Sequence, residues 1–111
     1  MKKFKDVIKT HADQHKQDIA EIKAKIPGMI VKLQALAEKY IEKRDATWDE
    51  HSQKVYDSDA QDILHIARCL RNDNYQEAID RFFNLDTAIR EDLPNDVYQP
   101  LVKLYNTMGL R

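Results

Sequence analysis

The chain has 111 residues, 42% of them hydrophobic and 33% charged, with a formal net charge of −1. That length supplies one domain, residues 1–111, with a core of its own, and two Gly with three Pro are too few for the turns of an all-β fold. No apolar run approaches the ~20 residues that span a bilayer, so no membrane association is expected.

Charge is unevenly placed: residues 1–44 hold eleven Lys/Arg against six Asp/Glu, and residues 45–111 hold seven against thirteen. The two halves attract each other within one fold, or the basic half meets an acidic partner or a nucleic-acid backbone. The lysines are not interleaved with aromatic residues as stacking platforms would need, which favours the first reading. The opening MKKFKDVIKT has basic residues with no apolar stretch behind them, unlike a secretory signal. The single Cys69 rules out an internal disulfide and suits a reducing compartment, so a cytoplasmic location is expected.

Apolar residues recur at helical spacing and period-two alternation is absent, so the fold class is all-α. A long first helix is predicted over residues 2–26, with Phe4, Ile8, Ile19, Ile22 and Ile26 on its seam. His11 and His15 occupy the same seam at i, i+4, as a polar layer where apolar residues would be expected. A seam so thin must pack on the rest of the bundle or on a second copy.

Pro27-Gly28 is expected to end this helix and start a second, whose stripe is Ile30, Leu33, Ala37, Tyr40 and Ile41. Thr47-Trp48-Asp49-Glu50 reads as a capping box for a short helix to about Tyr56; the alternative is one helix over 28–56. Ser58 with Gln61 reads as the start of a central hairpin over residues 58–89. Its first helix carries Ala60, Ile63, Leu64, Ile66, Ala67 and Leu70; Arg71-Asn72-Asp73-Asn74 turns the chain. Its second carries Tyr75, Ala78, Ile79, Phe82, Leu85 and Ile89, either stopping near Leu85 and restarting at Asp86 or continuing to Glu91. Leu93-Pro94-Asn95-Asp96 is a turn before a last helix bearing Val97, Leu101, Leu104, Tyr105 and Met108, with Pro100 in its first turn and Gly109 as its cap. The whole is a compact bundle of five to six helices.

Candidate chemistry is sparse. His11 and His15 can share a metal ion only with further ligands, for which His51, Asp62, His65 and Cys69 are available, and no HExxH or CxxC accompanies them. No metal and no cofactor is expected. Asp62 and His65 at i, i+3 read as a surface ion pair, without a nucleophile or oxyanion loop nearby. Cys69 lies opposite the apolar arc of its helix, as an exposed thiol or one buried by a partner, and Trp48, Tyr75 and Phe82 read as core. Phe83, at the edge of its stripe, reads as core or as a partner contact.

Arg44-Asp45-Ala46-Thr47-Trp48-Asp49-Glu50-His51 resembles the Arg-x(4–6)-His pattern of HEPN-type helical ribonucleases, which implies an RNA-cleaving dimer. NYQEAIDRFFNL resembles the second half of a tetratricopeptide hairpin, with Asp73 standing where that family has Gly. Residues 63–108 also resemble the C-terminal helical-bundle domain shared by the COPII outer-coat subunit and the steroid receptor RNA activator. Both of these latter resemblances imply a protein-binding module.

The sequence therefore points to a non-catalytic protein–protein interaction module, an adaptor, assembly factor or inhibitor, whose partner is another protein or a second copy. Its expected contact residues are Phe4, Ile8, His11, His15, Ile19, Ile22 and Phe83. A nucleic-acid-binding regulator using the basic half, and a HEPN-like ribonuclease using Arg44 and His51, are the alternatives.

Overall fold

Five helices build the described chain: α1 (Phe4–Ala46), α2 (Glu50–Arg71), α3 (Tyr75–Phe83), α4 (Thr87–Asp92) and α5 (Asn95–Thr107). The computed structural model describes the backbone of residues 4–107 and the side chains of residues 17–107. Among these residues there is no strand, and no helix is long and apolar enough to cross a membrane. Met108 and Gly109, expected to close the last helix, lie outside them.

The first correction concerns Pro27. It does not divide two helices but sits inside α1, which runs unbroken for 43 residues. The reason is the register of the buried seam. Ile22, Ile26, Met29, Leu33, Leu36 and Tyr40 alternate spacings of four and three, and each is at most 8% exposed. Ile26 and Met29 flank the Pro-Gly pair and reach the same core only if helical phase is kept between them. Six large side chains, each stabilised by roughly 1.5–3 kcal/mol on full burial, outweigh a proline penalty of about 3 and a glycine penalty of about 1 kcal/mol. Pro27 itself is on the exposed side, as is Lys23, whose carbonyl loses its helical partner and is left to water.

The second correction concerns the start of α2. The chain breaks at residues 47–49, with Asp49 as N-cap: its carboxylate accepts from the Ser52 amide at 3.1 Å and from Ser52 Oγ at 2.6 Å. Gln53 Nε2 closes the turn onto the Thr47 carbonyl at 2.7 Å. From Glu50 the helix continues to Arg71, so Ser58 lies within it rather than capping it, and residues 28–56 are not one helix.

The hairpin turn forms where expected. Asp73 adopts φ 59, the Asn74 amide donates to the Cys69 carbonyl at 2.8 Å and the Asp73 amide to the Leu70 carbonyl at 3.3 Å. These paired bonds make a Schellman closure with Asp73 at its left-handed position. The second arm stops at Phe83 and α4 starts after Asp86, so the helix does not continue to Glu91. Pro100 falls in the second turn of α5 rather than the first, because the helix begins as early as Asn95.

α1 and α2 run antiparallel, joined at the turn end by the Tyr40–Tyr56 ring contact and an Arg44–Asp57 ion pair. α5 runs antiparallel to α1, with Lys32 paired to Asp96 and Lys103 to Glu21. α3 closes over α2 and α5, and its Phe82 meets Tyr98 edge-on at 5.5 Å. The molecule is 24 by 22 Å in section and 70 Å long. Its radius of gyration of 17.4 Å exceeds the roughly 13 Å of a compact chain this size.

Candidate interaction surface

Helix lengths explain that elongation. At 1.5 Å per residue α1 is about 65 Å long, against about 33 Å for α2 and about 20 Å for α5. The carboxyl end of α2 reaches the level of Lys23 and Ile26, where these line one groove with Leu70 and Arg71. The carboxyl end of α5 reaches Asp18 and Glu21, which Lys103 Nζ contacts at 3.7 and 3.0 Å. Those carboxylates hold the Lys103 pKa above its ordinary value, Glu21 chiefly. From Asp18 back to Phe4 the α1 backbone continues for a further ~21 Å past the described ends of both neighbours. Phe4, Ile8, His11 and His15 fall on this arm in helical register with Ile19; their side chains lie outside the described residues.

At the base of the arm the predicted contact residues divide. Ile22 is 2% exposed and clusters with Ile79 of α3 and Leu104 of α5, so it belongs to the intramolecular core and is closed to a partner. Ile19 is half-buried on that cluster, as is Tyr105. Phe83 remains 42% exposed and lies edge-on to Tyr105, centroids 4.9 Å apart. Ile19 and Tyr105 thus pack on one cluster, and Phe83, 64 positions from Ile19 in sequence, joins that part of the bundle through its ring contact with Tyr105. Tyr105, expected on the apolar face of the last helix with Leu101 and Leu104, is half-buried against the Ile22–Ile79–Leu104 cluster.

Several other expectations resolve differently. Trp48, read as core, is 93% exposed, because it lies in the non-helical step between Ala46 and Glu50 and follows the stripe of neither helix. Arg44 is engaged by Asp45 and Asp57, whose hydrogen bonds raise its pKa, while His51 stands exposed in the first turn of α2. A cleft of about 660 Å³ between α1 and α5, lined by Gly28, Met29, Lys32, Asn95, Gln99 and Pro100 among others, presents no Ser, Thr, Cys or His.

His65 does not pair with Asp62. Its Nε2 lies 3.2 Å from Glu77 Oε1 across the hairpin, and its Nδ1 3.4 Å from the Arg68 guanidinium. The His65 bond chiefly holds the Glu77 carboxyl below its usual range. Cys69 is 5% exposed rather than outward-facing, because α3 covers the second face of α2; burial, then the Glu77 charge, pushes its thiol pKa up. His65, Cys69 and Glu77 place their donor atoms within 4.8 Å of one another, a convergence invisible in sequence because Glu77 arrives from another helix.

Compared with protein-family models, with curated proteins and with solved structures, the chain finds no match.

Proposed function

We propose that this domain is a non-catalytic protein–protein interaction module, an adaptor, assembly factor or inhibitor working in the cytoplasm. The observation that carries the reading is the α1 arm, which runs about 21 Å past its described neighbours and meets the bundle beside Ile19, Tyr105 and Phe83. A helix of two heptads is marginal alone, and a partner laid along Phe4, Ile8, His11 and His15 stabilises it while gaining an aromatic anchor at Phe83.

The test is co-purification from lysate under nuclease treatment, comparing the native chain with Ile8→Asp and Phe83→Ser. A stoichiometric protein retained by the native chain and lost in both variants, at unchanged helicity, supports the module. Recovery unaffected by either change refutes this surface. The nucleic-acid alternative rests on the lysines of the basic half, Lys2, Lys3, Lys9, Lys16 and Lys23 among them. It requires recovered RNA or DNA whose binding falls steeply with salt and is lost when these lysines become Gln. Ribonuclease action by Arg44 and His51 requires RNA cleavage that disappears with His51→Ala.

A further inference from the structure

We propose that His65, Cys69 and Glu77 form a binding site for a borderline-soft divalent cation of the Zn²⁺ type, clipping α2 to α3 across the hairpin. The three side chains present one imidazole nitrogen, one thiol sulfur and one carboxylate oxygen, all within 4.8 Å of one another. This donor mixture suits Zn²⁺, with a fourth tetrahedral position open to water. His65 and Cys69 stand at i, i+4 and share a face of α2; Glu77 comes from α3.

The geometry is close to what a metal needs. Tetrahedral zinc bonds of roughly 2.0–2.3 Å put neighbouring donors about 3.3–3.6 Å apart. His65 Nε2 and Glu77 Oε1 are already 3.2 Å apart, so the widest gap closes by about an ångström. His65 and Glu77 are half-buried rather than locked in the core, and theirs are the side chains that would turn to close it.

Two cations stand beside the site. Arg81 lies 3.5 Å from Glu77 Oε1 and can keep hold of the carboxylate, orienting it as a supporting partner orients a metal ligand. Arg68 contacts His65 Nδ1 at 3.4 Å; it is exposed and can swing away when that nitrogen takes the imidazole proton. Binding deprotonates the Cys69 thiol, releasing that proton to solvent, and the thiolate with Glu77 then neutralises the dication. The thiol's burial makes it a poor nucleophile on its own, while the cation supplies the charge that stabilises its ionised form.

The experiment is titration of the full chain, reduced, with Co²⁺ and then Zn²⁺, followed by absorption. Cys69 is the chain's single cysteine, so a thiolate-to-cobalt charge-transfer band reports this site alone. The expected result is one equivalent of Co²⁺ with that band, displaced by one of Zn²⁺. Cys69→Ser should abolish the band, and His65→Gln and Glu77→Gln should each weaken binding about tenfold or more. Circular dichroism checks folding; were Cys69→Ser to unfold, the two half-buried variants decide alone. Absence of the charge-transfer band in the native chain, or binding unaltered by His65→Gln and Glu77→Gln, overturns the proposal.

Discussion

Replacing Pro27 with Ala separates two accounts of α1. Were Pro27 the first residue of a second helix, it would be well placed, and its loss neutral or harmful. Within one continuous helix it forfeits a hydrogen bond to the Lys23 carbonyl and crowds that turn, at about 3 kcal/mol relative to Ala. Its side chain is on the exposed side, so Ala opens no cavity in the core. Pro27→Ala should therefore stabilise by about 2–3 kcal/mol, after allowing for the greater freedom of the unfolded chain. Gly28→Ala is an independent check. A Cβ there meets nothing within 4 Å, so the full helical preference of about 1 kcal/mol should appear. At roughly 4 °C per kcal/mol, melting should rise about 10 °C and about 4 °C respectively. Urea unfolding followed by circular dichroism measures both, with an unchanged slope confirming that the unfolded state is comparable. A neutral or destabilising Pro27→Ala would refute the argument that seam register overrides the proline.

Other perturbations test the remaining joints. Phe82, 1% exposed and in ring contact with Phe83 and Tyr98, should cost about 3–5 kcal/mol on truncation to Ala, a large part of a small domain's stability and a fall of about 12–20 °C in the calorimetric melting temperature. Asp73→Val puts a β-branched residue at φ 59 and removes the acceptor of the 2.9 Å Tyr75 hydroxyl bond. A loss of at least 1–2 kcal/mol is expected in urea denaturation, and a neutral result would mean the turn relaxes. Asp49 and Glu77 have lowered carboxyl pKa values, the first through Ser52 hydrogen bonds and the second through the His65 bond. Their stabilisation is complete above the unfolded value of about 4 and is lost as pH falls through the lowered folded value. The urea midpoint should drop between pH 5 and 3, and drop less in an Asp49→Ala, Glu77→Gln double variant. Asp59 has the opposite sign: burial, then Asp86 and Asp62, raises its pKa, so Asp59→Asn should raise the midpoint at pH 7.

The apolar spacing alone established an all-α chain, the hairpin turn at 72–74 and a core that includes Leu33, Ala37, Tyr40, Ile63, Phe82 and Leu101. These depend on local phase, which a helix prints directly into sequence at 3.6 residues per turn. The turn was legible from its Asn/Asp run, residue types that favour turns; that Asp73 takes the left-handed position of a Schellman closure came from the structure. Boundaries were not legible. Pro27 and Ser58 each carry a strong local signal for a break or a cap, and each lies inside a helix because burial on both sides outweighs it. Trp48 carries a large apolar group, yet backbone geometry at 47–49 leaves it without a neighbour to pack on. Only the tertiary structure decided that Ile22 is core, that Phe83 joins through Tyr105 the part of the bundle where Ile19 packs, and that Glu77 reaches His65 and Cys69. Those relations join different helices, and one helix's periodicity contains no information on which neighbour covers its second face.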